Sequence, residues 1–446
     1  MSRRHGHRFF LGITVLSAAV LATAPAGSVV LGQEPSAPPD ASDVAVASPV
    51  PGPLDGIELL VRGERDPDRV VPDEDLTALA QGNTAFALDV YRQVASEPGN
   101  LVLGPLSISV AMAMNQMGAR GATASQAADA MHFDLPSEQL AAAFDRLERE
   151  LEGLAGDKVA IALVNQLFGQ RDYPFEEPFL ETLSRNFGAP MAVVDYNDPE
   201  AVRGIINAWV ASQTNERIKD LIPPEALTPL TRLVLVNATY LKADWARPFN
   251  AAFTEKRPFR LASGRRVRVP TMAATTDAPT AATAGVRAID LPYEGERLAM
   301  LILVPSDLAA FERDLTAETI DAIVAALEPG GVALTMPTFS ARTRVDLRAP
   351  LQALGIIDAF DERLADLTGI SPEPNLHVSA AVHQAFVKVA EKGTEAAAAT
   401  AIGDSGTSGP PPAFKVDRPF LWLIRDRETG SVLFLGRVLD PRDTVK

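Results

Sequence analysis

Between Val387 and Phe420 the chain reads VKVAEKGTEAAAATAIGDSGTSGPPPAFKVDRPF, and no other stretch constrains the fold as much. A strand-like apolar alternation ends at Ala390. Glu391, Gly393, Thr394 and Glu395 follow, then Ala396, Ala397, Ala398, Ala399 and Thr400, a polar Gly/Ser segment, and three prolines at 410–412. Propensity alone reads Thr-Glu-Ala-Ala-Ala-Ala as a helix start, because alanine is the best helix former and threonine caps well. The same residues also read as a strand awaiting a partner. At period two, Thr394, Ala396, Ala398, Thr400 and Ile402 share one face that is small or apolar throughout. Gly393 permits an abrupt change of backbone direction. No proline falls between Gly393 and Thr407, a stretch that would reach roughly 50 Å when extended. The prolines beyond it stiffen the loop without obstructing such a strand.

The rest of the chain has to supply a fold that tolerates this segment. Helical spacing is clear over 76–96, 106–117, 137–154 and 200–214, and strand patterns over 159–168, 233–241, 299–304, 332–336, 382–389, 420–424 and 432–438. They alternate without a strict βαβ repeat, which predicts an α+β domain. Of the 446 residues, 47% are hydrophobic, and no low-complexity break follows Leu76, so one large domain over 76–442 is expected. Cysteine is absent, which excludes disulfides and thiolate metal sites. No cofactor is expected.

The N-terminus reads as an address. Arg3, Arg4 and Arg8 precede the apolar run Phe9–Ala22, and Ala24-Pro25-Ala26 suits cleavage after Ala26. Residues 1–26 are therefore expected to be a secretory signal, 27–56 a Pro/Ala/Ser-rich tether, and 57–75 an N-terminal extension. The alternative is a periplasmic chain, or one held at a membrane by an uncleaved signal. The net charge of −16 argues against a nucleic-acid or heparin surface. Arg146 and Arg149, interleaved with Glu148, Glu150 and Glu152, predict a solvated helix face.

The 387–420 stretch resembles the mobile hinge and reactive-centre loop of an inhibitory serpin. Further motifs in matching order carry the resemblance from 76 to 441: NLVLGPLSISVAMAMNQMG at 100–118, LVLVNATYLKADWARPF at 233–249, the strand leading into the hinge, and LFLGRV at 433–438. The resemblance implies a multi-helix domain around a large central sheet, two smaller sheets, and an exposed loop over about 391–413. It implies a suicide inhibitor, whose loop is cut by a serine protease and inserts into the central sheet with the acyl-enzyme attached. The alternative within the family is a non-inhibitory carrier, chaperone or binding module. An arginine excess over lysine and the lack of cysteine suggest a GC-rich bacterial source.

The family also implies roles for particular residues. Glu391, Gly393, Thr394, Glu395, Ala396–Ala399 and Thr400 match the hinge. Asn237 and His383 match a pair that bridges the central sheet where it must open, with Ser107 beside it and Trp245 near the insertion point. Gly104 stands where the family usually has serine, which implies a looser corner. Counting from Gly393 places the cut at Thr407–Ser408, and counting back from Pro419 places it at Ser408–Gly409. With no basic residue between Lys392 and Lys415, small uncharged side chains at the cut imply an elastase-like or subtilisin-like target. The inhibitor is expected to be a monomer that forms loop–sheet polymers on heating.

Two motifs invite other readings. Gly403-Asp404-Ser405-Gly406 matches a serine-protease nucleophile signature, but the histidine motif that should accompany it is missing. Asn237-Ala238-Thr239 is a glycosylation sequon in an apolar strand pattern, which predicts that it is buried.

Overall fold

Period-two alternation in Leu233–Asp244 sorts its side chains between two cores. In the computed structural model, which describes residues 57–283, 285–395 and 411–443, Leu235, Leu241 and Ala243 face the larger core. Val234, Val236 and Ala238 face a smaller one on the opposite side. This strand, β5, lies near the middle of a seven-stranded sheet. The order is β1 (Glu58–Leu60), β4 (Met191–Val194), β3 (Val159–Gln170), β5 (Leu233–Asp244), β14 (Gly393–Thr394), β13 (Ala380–Val389) and β12 (Phe339–Asp346).

Two smaller sheets complete the frame. One runs β2 (Leu101–Leu103), β17 (Val432–Val438), β16 (Phe420–Asp426), β10 (Leu298–Pro305), β9 (Val286–Pro292) and β8 (Thr280–Thr283). The other runs β15 (Ala413–Lys415), β11 (Gly331–Pro337), β7 (Arg266–Asp277) and β6 (Glu255–Arg260).

The helices are α1 (Asp73–Val94), α2 (Pro105–Gly118), α3 (Gly121–Met131), α4 (Ser137–Glu152), α5 (Glu177–Phe187), α6 (Pro199–Gln213), α7 (Leu308–Asp314), α8 (Ala317–Ala325) and α9 (Arg348–Ala353). The sequence of α2, PLSISVAMAMNQMG, carries no charge, and only Met117 escapes full burial. Such a helix is stable only inside a core, and α2 lies between the main sheet and α1, with Pro105 starting it. On the sheet's other face, α6 places Ile206, Trp209 and Val210 against Val234 and Val236.

The N-terminal extension is part of this fold. Glu58, Leu59 and Leu60 pair antiparallel with Val193, Ala192 and Met191, so β1 covers what would otherwise be the open β4 edge. The chain then crosses α5 and α4. The Arg62 N–H donates to Ser184 Oγ at 3.0 Å, Arg149 Nη1 to the Pro67 carbonyl at 3.0 Å, and Arg146 to the Val71 carbonyl at 2.6 Å. Arg65 contacts Asp145, Glu148 and Glu152 at 3.1–3.2 Å. Its guanidinium fills the space over Gly188, where a Cβ would approach within 2.7 Å.

The expected solvated face on α4 is corrected here. Arg146–Glu150 and Arg149–Asp145 do pair at i, i+4. Glu148, however, is only 6% exposed, because the extension lies over it. Burial, against the pull of Arg65, raises its carboxyl to about 8.

Candidate functional site

The pairing of β5 with β13 makes a seam down the middle of the main sheet. From Val234–Ala380 to Tyr240–Phe386 the two strands bond directly and in parallel. The register sets Asn165 of β3, Asn237 of β5 and His383 of β13 in one row. All three sit among apolar neighbours on the face toward α2, and Asn237 and His383 are fully buried.

Most polar groups in this row find a partner; the exception is the buried Nδ2 of Asn165. Asn237 Nδ2 donates to Ser107 Oγ at 2.6 Å and to Asn165 Oδ1 at 2.5 Å. The Gly104 N–H donates to His383 Nε2 at 3.1 Å. With Nε2 accepting, the imidazole proton lies on Nδ1, which donates to Asn237 Oδ1. Burial depresses the His383 pKa to about 3, so the ring is neutral. Asn237 and Thr239 are both fully buried, as the sequon's apolar pattern predicted.

Gly104 does not loosen the corner. A Cβ there would meet Thr239 Oγ1 at 2.4 Å, so the Thr239 side chain occupies that space. With no side chain at Gly104, the start of α2 lies close to β5, and the Gly104 N–H reaches His383.

Above Phe386 the strands part, and β14 lies between them. Thr394 is in register with Val389 of β13 and Ala243 of β5, and Gly393 with Asp244, antiparallel to both neighbours. The chain enters by a tight turn at Glu391–Lys392, closed by two hydrogen bonds between Ala390 and Gly393 at 2.9 and 3.2 Å. The carbonyls of Ala390, Glu391 and Lys392 accept, in order, from Trp245 Nε1 (3.0 Å), the Phe249 N–H (2.7 Å) and the Trp245 N–H (2.7 Å). Thr254 Oγ1 donates to the Glu391 carboxylate at 2.7 Å, and Lys392 pairs with Asp244 at 3.3 Å.

Trp245 therefore does more than fill the core. It stacks on Tyr293 at 4.6 Å while holding the turn. The Tyr293 hydroxyl, its pKa raised by burial, shares a 2.7 Å hydrogen bond with Thr394 Oγ1. Thr394 is fully buried. Gly393 is obligatory in this position, since a Cβ would fall 2.0 Å from the Ala243 carbonyl oxygen.

Glu395 ends the inserted stretch. Its φ of +62° turns the chain out of the extended conformation, which is unfavourable for a residue bearing a Cβ. Both its backbone and its carboxylate are held. Its N–H donates to the Lys388 carbonyl at 2.7 Å, and its carboxylate, 2% exposed, pairs with Arg217 Nε at 2.5 Å.

The structure thus joins Ser107, Asn237 and His383 in one cluster, and Glu391, Gly393, Thr394, Glu395 and Trp245 in another. Ala396, Ala397, Ala398, Ala399, Thr400, Thr407, Ser408 and Gly409 lie outside the described residues, as does the Gly403–Gly406 motif. Sequence reasoning passed over Asn165, Tyr293, Thr254 and Arg217. A polar residue in an apolar strand pattern was the available sign for Asn165. The other three become visible only once the chain is folded.

Comparison with known proteins gives one answer. The family model described as "Serpin (serine protease inhibitor)" matches residues 81–441. An uncharacterized serpin-like protein of Thermococcus kodakarensis is 37% identical over 80% of this chain and 85% of its own length. The leukocyte elastase inhibitor of Bos taurus is 36% identical over 81% of this chain and 99% of its own. The crystal structure of native protease nexin-1 with heparin superposes with a TM-score of 0.73 at 32% identity, covering 82% of this chain and all of that one. The closed seam, the hinge strand and these matches agree: the chain belongs to the serpin family.

Proposed function

We propose that this serpin is a secreted suicide inhibitor of serine proteases. The observation that carries the reading is the position of Gly393 and Thr394, already paired between β5 and β13 while the small-residue run follows directly in the sequence. The family match and the relative named an elastase inhibitor support protease inhibition rather than catalysis. The basic start and short apolar run of residues 1–26 support export.

In this mechanism the protease serine attacks the Thr407 carbonyl. The Thr407–Ser408 peptide bond breaks, the new amine of Ser408 leaves, and Thr407 stays esterified to the enzyme. The freed segment extends β14 downward between β5 and β13. Glu395 must then adopt a strand conformation, and the polar row at Asn237 and His383 must open. The enzyme is carried off before water reaches the ester, so the serpin contributes no catalytic group.

Small uncharged residues at the cut favour an elastase-like or subtilisin-like enzyme, whose pocket demands neither a cation nor a large ring. The test is incubation with elastase, subtilisin, trypsin and chymotrypsin, followed by denaturing electrophoresis and mass measurement of the released C-terminal fragment. The expected result is an SDS-resistant complex with elastase or subtilisin and a fragment beginning at Ser408. Cleavage by these enzymes without any complex would favour the carrier or chaperone reading.

A further inference from the structure

The outer face of β12 and β13 carries cations that the seam does not use. Register places Ser340, Arg342 and Arg344 opposite Lys388, Phe386 and Gln384, all on the face away from α2. On β5 that face is covered by α6 and the segment following it; over β12 and β13 it is an open cleft of about 1310 Å³. Its far wall is Glu216–Asp220, which contributes Arg217 and Lys219.

Arg342, Arg344 and Lys388 have no carboxylate within 4 Å among the described residues, in a chain whose arginines are otherwise widely ion-paired. Arg342 is held by stacking on Phe386 at 5.1 Å and by donating to the Arg217 carbonyl at 3.3 Å; Arg344 donates to the Asp220 carbonyl at 3.2 Å. Two of the three acids that line the cleft are already engaged, and the third, Asp220, lies on its far wall. Glu216 pairs with Lys219 at 3.3 Å, and the Glu391 carboxylate accepts from Thr254. Two held guanidiniums and the exposed ammonium of Lys388, at successive steps of about 7 Å along the strands, face the same space, an arrangement suited to a chain of linked anions rather than a single one.

We propose that this cleft binds a short linear oligophosphate, and that the bound anion staples the two sides of the seam. Arg217 and Lys219 belong to the segment leading into β5, whereas Arg342, Arg344 and Lys388 ride on β12 and β13. Strand insertion has to separate these two groups, so a ligand held by both resists it. Arg217 also pairs with Glu395, so the ligand and the hinge compete for one guanidinium. The chain's overall charge of −16 opposes a long polyanion, which would run onto acidic surface. A short one meets only the cleft, since charges beyond about 10 Å are screened at ordinary salt. The stapling half of the proposal rests on the inhibitory reading above, whereas binding does not.

The test uses the full uncleaved chain, with inorganic triphosphate as the probe and orthophosphate as the control, in isothermal titration. Triphosphate is expected to bind at least tenfold tighter than orthophosphate. The double variant Arg344→Gln/Lys388→Gln alters two exposed side chains, and its melting midpoint reports on the fold. It is expected to lose at least tenfold in affinity. Equal binding by both proteins, or none by the wild type, overturns the site. Tighter binding of a sulfated oligosaccharide than of triphosphate overturns the assignment to phosphate. In the kinetic arm, saturating triphosphate slows covalent-complex formation several-fold for the wild type and not for the variant. Binding without slowing overturns the staple alone, and a chain that traps no protease while still binding triphosphate leaves the site standing and refutes the inhibitory reading.

Discussion

The two halves of the β5–β13 seam use the same strands and are held in opposite ways. Near α2 the strands bond directly, and the row Asn165–Asn237–His383 ties them together through buried side chains. Near Trp245 the strands are already apart, and two residues of a foreign strand sit between them. A buried polar group costs little while its partner is present and about 1–3 kcal/mol when it is orphaned, and in this row only Asn165 Nδ2 lacks a partner. The row is a barrier to opening rather than a large source of stability. The hinge half carries the complementary device: a small strand seated in the gap and stopped at one left-handed residue, Glu395. In the proposed mechanism, insertion would be primed at one end and gated at the other.

The largest expected effect comes from breaking the primed end. Thr394→Arg places an unpaired cation in a fully buried position beside Tyr293. Cleavage should continue while the SDS-resistant complex disappears, and undiminished trapping by this variant would refute the account of the hinge. Next in size is the response to cutting the loop. A completed central strand should raise the melting midpoint by about 10 °C or more, given that each added kcal/mol is worth about 2–4 °C in a domain approaching this size. Identical melts before and after cleavage would mean that the strand does not insert.

A smaller effect probes the gate. Asn237→Ala removes partners from His383, Asn165 and Ser107 at once. It should cost about 2–4 kcal/mol and hasten the loop–sheet polymers expected on heating, as read by size-exclusion chromatography. Ser107→Ala should cost less, because Asn237 keeps Asn165 and His383.

The smallest effect is a pH dependence that belongs to the gate alone. The folded His383 value of about 3 lies below the ordinary 6.5, so between these limits the opened or unfolded chain binds a proton that the closed one refuses. The contribution is complete above 6.5 and is lost as the pH falls, at about 1.4 kcal/mol per unit. A protonated ring could no longer accept from the Gly104 N–H. Urea midpoints at pH 7 and pH 5 should therefore fall further for the wild type than for His383→Gln. Equal falls would remove the histidine from the gate.

Much of the fold was legible because it rests on local periodicity. All seven strand patterns correspond to strands, including the hinge-leading β13 and the β16–β17 hairpin. Short helices such as α3, with its small-residue sequence, and polar strands such as β6 lack a strong alternation and went unread, while β7 went unread although Val267 and Val269 alternate with Arg266 and Arg268. Thr394 shows the limit of propensity, since a good helix start is a strand residue here because two strands flank it. Register is a tertiary quantity, so Asn165 could not be placed beside Asn237 from sequence. The burial of Glu148 likewise depends on an arginine 83 residues away.

The strand β1 also gives the molecule a mechanical handle. The chain before it runs through residues 27–56, so a pull applied through that segment meets the fold first at the rungs to Met191, Ala192 and Val193. The grip of three carboxylates on Arg65 comes next in line. Three strand spacings, about 14 Å in all, separate β1 from β5, and every strand between them lies on the same side of the seam. Tension on a molecule anchored by its N-terminus would load strands on one side of the β5–β13 seam, leaving the line along which the sheet parts in the proposed mechanism outside the direct path of that force.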